Sequence, residues 1–152
     1  MRDAHSIPLI QTLHPKVRDI FQHFIEECEN TFDITIRIAS AYRSMEEQQK
    51  IYNQGRTTPG PIVTKAIPGS SYHNWGLACD LLPLSISGEL NYNYDQVKWV
   101  VIGQKYGLNW GGLWSGFKDP DHWECKMGHN WRDLLDLYNR KDFLPGTNYV
   151  NI

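Results

Sequence analysis

Apolar residues first recur along this chain at helical spacing. Val17, Ile20, Phe21, Phe24, Ile25 and Cys28 fall on one face with charged residues between them, which predicts an amphipathic helix over 15–29. The period then shortens to two. Ile34, Ile36 and Ile38 alternate with Thr35, Arg37 and Ala39, the pattern of a strand over 33–41. A second helix is expected over 44–54, with Ser44 as its cap, Glu47 at the third helical position and Gly55 as its stop. Leu77–Leu82 is apolar on both sides and reads as a buried strand. Beyond it, the pattern predicts a helix over 95–106 closed by Gly107, a short strand over 121–125 and a last helix over 131–140. Helices and strands mix without a regular β-α-β alternation. The expected fold class is therefore α+β, a small antiparallel sheet flanked by helices.

Residues 56–72 interrupt this order. Pro59, Gly60, Pro61, Pro68 and Gly69 deny the stretch regular structure, and Arg56 and Lys65 make it basic. A loop this long is either a functional element or a floppy insertion. The 152 residues suit one domain, 1–152, and a chain of this size buries roughly 70% of its unfolded surface. Fifteen Lys and Arg against seventeen Asp and Glu, with no basic block, argue against a nucleic-acid partner. Six Trp, eight Tyr and five Phe are many, enough both to fill a core and to line a cleft. Cys28, Cys79 and Cys125 form no C-x-x-C pair and read as three reduced, buried thiols of a protein folded in the cytoplasm. Residues 1–15 hold no apolar stretch of signal-peptide length, and no apolar run approaches a membrane span. We expect a monomer made without an export signal and without stable membrane association.

The chemistry starts at Asp80. On the predicted strand Ala78 and Leu82 share its face, so the carboxylate is buried among apolar neighbours. It needs a cationic partner, an Arg or Lys side chain or a metal ion. Upstream, Ser71, His73, Gly76, Ala78 and Asp80 spell S-x-H-x-x-G-x-A-x-D, in which a small-residue turn lets His73 and Asp80 converge on one ion. A third donor is available at His122, in the run Asp119 to Glu124, where His122 and Glu124 share a strand face and Asp121 and Trp123 the other. Two His and one carboxylate are a donor set that zinc accepts with its fourth position left open, as in catalytic sites. The remaining histidines, His5, His14, His23 and His129, read as surface or helix-end residues.

Four blocks together resemble the LAS group of zinc peptidases, the VanY-like D-alanyl-D-alanine carboxypeptidases, D,D-dipeptidases and single-domain phage L-alanyl-D-glutamate endolysins. They are Ser40-Ala41-Tyr42-Arg43-Ser44, the S-x-H-x-x-G-x-A-x-D block, Trp110-Gly111-Gly112-Leu113-Trp114, and Asp119 through Glu124, in the family's order over about 34–124. The resemblance implies the LAS/hedgehog-type peptidase fold and Zn(2+) held by His73, Asp80 and His122. It implies that Asp119, three before the last ligand, is the general base, and that Arg43 steadies substrate and the developing oxyanion. Ser71 falls at the substrate-binding edge. Trp114 is either a wall of the substrate cleft or core packing, and the same choice holds for Trp110. Glu124 either orients a ligand histidine or forms a salt bridge at the cleft wall. The implied partner is the peptidoglycan stem peptide. The implied activity is hydrolysis of its L-alanyl-D-glutamate bond, reached after release from the cell that makes the protein. A D-Ala-D-Ala carboxypeptidase or a cytoplasmic dipeptidase is the alternative, and a catalytically inactive wall-binding module of the same fold is a third reading.

Overall fold

The structure is a computed structural model describing residues 1–152. Its helices are α1 (Ser6–Ile10), α2 (Arg18–Phe32), α3 (Met45–Asn53), α4 (Val100–Lys105) and α5 (Trp131–Asn139), and its strands are β1 (Ile36–Ser40), β2 (Ala78–Pro83), β3 (Asn109–Trp110) and β4 (His122–Glu124). The strands form one antiparallel sheet in the order β1-β2-β4-β3. The fold is α+β, as the element pattern predicts.

The pleat sorts the central strands into two faces. Cys79 of β2 lies opposite Trp123 of β4, and both are fully buried on the core side. There Phe24 of α2 packs with its ring centroid 4.7 Å from that of Trp123, and Trp99 stands 6.3 Å from the same indole. Phe21, Phe24 and Ile25 of α2 are fully buried, each worth about 1.5–3 kcal/mol of apolar burial. The opposite face carries Ala78 and Asp80 of β2 across from Glu124 and His122 of β4. A period of two on neighbouring strands thus aims hydrophobic groups one way and acid–base groups the other.

Several boundaries differ from the sequence expectation. The helix expected over 15–29 is a 3₁₀ turn, Pro15–Val17, followed by α2, which runs on to Phe32. Asp33 closes it in a left-handed conformation, φ 49°, so the next strand starts only at Ile36. The helix expected over 95–106 likewise begins as a 3₁₀ turn, Gln96–Trp99. α3 follows the expectation closely: Ser44 accepts from the Glu47 N–H while the Glu47 carboxylate accepts from the Ser44 N–H. The short α1 and the two-residue β3 carry no periodicity from which to predict them.

His14 meets the helix-end side of its expectation and not the surface one. It does cap the 3₁₀ turn at Pro15, but it is fully buried rather than at the surface. Its Nε2 lies 2.9 Å from the Val150 carbonyl, so a chain end 136 residues away buries it. The three cysteines are buried and unpaired, and burial pushes the Cys28 thiol up to about 12. Titration of the denatured, unreduced protein is expected to find all three thiols; a count of one would reveal a disulfide.

Candidate metal centre and cleft

β2 and β4 set two of the proposed ligands side by side, because Asp80 and His122 are directly opposed in the ladder. The third, His73, sits on a 3₁₀ turn, Tyr72–Trp75, that leads into β2. Gly76 makes that turn possible. It adopts φ 68°, and a Cβ there would stand 2.6 Å from the His14 backbone nitrogen. On the other side, the β1–β2 register slips between Ile38 and Ser40, which brings Ser40 opposite Asp80 at the edge of the site.

Three donor atoms converge. His73 Nε2 lies 3.1 Å from Asp80 Oδ1 and 3.1 Å from His122 Nδ1, and His122 Nδ1 lies 3.3 Å from Asp80 Oδ1. Each imidazole uses its other nitrogen outward. His73 Nδ1 donates to the Ala41 carbonyl at 2.7 Å, and His122 Nε2 donates to Glu124 Oε2 at 3.0 Å. With those protons committed outward, two nitrogen lone pairs and a carboxylate oxygen face one another. Such a cluster calls for a cation, and the outward partners are those that fix the tautomers of metal-binding histidines. His73, Asp80 and His122 therefore suit a divalent ion of zinc's preference for nitrogen and oxygen donors.

The surrounding charges are ordered too. Burial pushes the Asp80 carboxyl up, but the two imidazoles outweigh it and hold it well below the ordinary carboxylate range. Burial lowers His122, yet its bonds to Asp80 and Glu124 win and, without a metal, raise it to about 9. Glu124 is buried and is drawn down by His122 and by Lys126, whose Nζ lies 3.2 Å from Oε1. Glu124 thus bonds both His122 and Lys126. Arg43 Nη2 stands 3.5 Å from Asp80 Oδ2 and 3.0 Å from Ser40 Oγ, while Nη1 donates to Gln48 Oε1 at 3.2 Å. Asp80 therefore has the cationic side chain expected of it, Arg43, on one oxygen, and the histidine pair on the other.

His73 and His122 open into a cleft of about 420 Å³ that Ser71, Trp114 and Asp119 also line. Burial raises the Asp119 carboxyl, and the charge of Asp80 raises it further. Asp121 does not line the cleft; burial and the charges of Asp119 and Asp80 push it up to about 6. The two tryptophans of the Gly-Gly loop divide their roles. Trp110 stacks on Trp123, centroids 6.0 Å apart, while Trp114 stands 5.1 Å from the His122 ring at the cleft wall. Gly111 between them lets the segment before β4 fold back, since a Cβ there would collide with the Asp119 carbonyl.

A model of D-alanyl-D-alanine carboxypeptidases, VanY, matches residues 10–112, two thirds of the chain. The chain belongs to the VanY family. That match takes in Arg43, Ser71, His73 and Asp80 and stops before Asp119 and His122. The chain is also 36% identical, over 129 residues, to the peptidoglycan L-alanyl-D-glutamate endopeptidase CwlK of Bacillus subtilis (strain 168), covering 78% of this chain and 77% of that one. Among solved structures it is similar to the L-Ala D-Glu endopeptidase ChiX of Serratia marcescens, with TM-score 0.63 and 19% identity over 86% of this chain and 90% of that one. It is similar as well to the vancomycin-resistance D,D-pentapeptidase VanY of a VanB-type cassette, solved with Zn(II), at TM-score 0.56 and 18% identity over 74% and 72%. These structural likenesses show the same fold over most of the chain.

Two supports of the site have no motif to announce them. The Asn74 amide donates to the Arg43 carbonyl at 2.8 Å and accepts from the Gly69 N–H at 3.0 Å, tying the His73 turn to the Arg43 segment. Gln48, fully buried on α3, joins the Arg43 guanidinium to the Ala66 carbonyl of the long loop. That loop borders the cleft through Val63 to Ala66 and through Ser70. From Gly60 to Lys65 no backbone N–H has an acceptor within the protein. Hydrogen exchange is expected to be early there, and protection equal to that of β2 would refute the expectation.

Proposed function

We propose that this member of the VanY family is a zinc-dependent L-alanyl-D-glutamate endopeptidase acting on peptidoglycan stem peptides, with His73, Asp80 and His122 as the metal ligands. The observation that carries this reading is the convergence of three potential donor atoms at a cleft that Asp119 also lines. The choice of bond is supported by the 36% identity with an endopeptidase of that specificity. Zinc held by His73, Asp80 and His122 would supply Lewis acidity to the scissile carbonyl and lower the pKa of a water there.

The chain's own groups do the rest. Asp119 accepts the proton of the attacking water and returns it to the departing amine. Its raised pKa suits the first task, because a carboxylate held up by burial is a stronger base than it would be in water. Arg43, on the far oxygen of Asp80, adds positive charge where the tetrahedral oxyanion develops. Glu124 and the Ala41 carbonyl hold the two imidazoles in their ligand tautomers. Trp114 and Ser71 form the walls against which the peptide lies.

The family's carboxypeptidase members support a second reading, removal of the terminal D-alanine. No helix is long and apolar enough to cross a membrane, and the likeness to a peptidoglycan endopeptidase supports action on the cell wall. Mass spectrometry of muropeptides digested by the zinc-loaded protein separates the readings. The endopeptidase leaves L-alanine on the glycan and frees peptides beginning with D-glutamate. Loss of a single terminal D-alanine, with the L-alanyl-D-glutamate bond intact, would overturn it in favour of the carboxypeptidase.

A further inference from the structure

Three cations stand at or beside the cleft, and two of them are already engaged. Lys126 is paired with Glu124 at 3.2 Å, and Arg43 spans Asp80, Ser40 and Gln48. Lys65 lines the cleft with no acidic partner; its Nζ instead stands 5.5 Å from the centre of the Phe117 ring. An exposed lysine is commonly just a solvated surface group, but the backbone on both sides of this one is tethered. The Thr64 carbonyl accepts from Arg56 Nη2 at 3.0 Å, and the Ala66 carbonyl accepts from buried Gln48 at 2.8 Å. Gln48 also holds Arg43, so the Lys65 segment is anchored to the same scaffold as the metal site.

The position of Phe117 says which end of a substrate Lys65 meets. Phe117 lies two residues before Asp119, and both line the cleft. Asp119 delivers its proton to the departing amine, so Lys65 faces the leaving side of the scissile bond. A carboxylate on the carbon that bears the departing nitrogen is only two bonds of about 1.5 Å each from that nitrogen. Such a group would arrive beside the Asp119 carboxylate, and an unpaired ammonium on that wall offsets the repulsion.

We propose that Lys65 is a specificity-determining residue that binds the free α-carboxylate of the residue whose amine departs. The enzyme then favours stem peptides whose D-glutamate continues through its side-chain carboxyl with the α-carboxyl free, over those in which that carboxyl is amidated. This inference rests on the endopeptidase reading above.

The test compares two synthetic peptides, L-alanyl-γ-D-glutamyl-L-lysine and the same peptide with the α-carboxyl amidated. The wild type is expected to cleave the acid with kcat/KM about five- to tenfold higher, the size of a solvent-exposed charge-assisted contact, and to show the difference mainly in KM. Lys65→Met, which keeps the apolar stem over Phe117, should bring the acid-to-amide ratio to about one, and Lys65→Arg should retain the preference. A binding measurement with the product γ-D-glutamyl-L-lysine should show the same order without any turnover. An unchanged ratio in Lys65→Met, while the L-alanyl bond is still cut, overturns the inference alone. Failure of the wild type to cut either peptide at that bond overturns the endopeptidase reading and this inference with it.

Discussion

Replacing His122 by alanine is expected to abolish metal binding and peptidoglycan cleavage together. His122 contributes one of only three donor atoms, and the two that remain, His73 Nε2 and Asp80 Oδ1, are 3.1 Å apart and make a weak bidentate site. The fold should survive the change, because the buried Glu124 keeps Lys126 at 3.2 Å and the core face of β4 is held by Trp123. Thermal melting gives a readout independent of activity. A ligand at a thousand times its dissociation constant stabilises the native state by about 4 kcal/mol, which for a chain of this length is roughly 10 °C. Wild-type protein stripped by a chelator should regain that increment on adding zinc. His122→Ala and Asp80→Asn should not, and elemental analysis should find neither loaded. A His122→Ala protein with full zinc content and wild-type activity would remove His122 from the ligand set.

The sequence makes some of this site legible and leaves other parts silent, and the division has a physical basis. Asp80 and His122 can be read because each lies on a strand, where the period of two assigns a face to every residue; the register then opposes them. His73 can be read because Gly76 marks a turn that only a residue free to adopt positive φ can make. What stays hidden depends on contacts made across long stretches of chain. The sequence gives no sign that Gln48 on α3 reaches the Ala66 carbonyl, 18 residues on, or that Asn74 bridges back to Arg43. The burial of His14 by Val150 is the extreme case: the residue sits at a helix end, as expected, yet in the core. The split between Trp110 and Trp114 is of the same kind. Two indoles four apart around a pair of glycines look alike in sequence, and only the third dimension sends one against Trp123 and the other to the cleft.

Asp119→Ala is expected to retain zinc and fold while losing about 10²–10⁴ in rate, the ordinary cost of removing a general base. Asp121→Ala should lose far less. Both carboxyls are raised by burial, so the direction of the shift does not single out the base; position does. Asp119 lines the cleft with His73 and His122, whereas Asp121 does not. Two backbone bonds hold Asp119 there. Its N–H donates to the Gly111 carbonyl at 3.2 Å, and its own carbonyl accepts from the His122 N–H at 3.2 Å. Pro120 adds rigidity through its carbonyl, which accepts from the Trp110 indole at 2.7 Å. Asp121 is instead spent on the sheet, its carbonyl accepting from the Leu81 N–H at 2.8 Å just where β4 begins. The base is thus placed by the loop that folds back over Gly111, and Gly111→Ala should mimic part of the Asp119 defect, since the added Cβ would displace the Asp119 carbonyl. Single-turnover cleavage of a stem peptide, measured on variants matched for zinc content, decides the matter. If Asp121→Ala were the more damaging substitution with metal retained in both, Asp119 would not be the base.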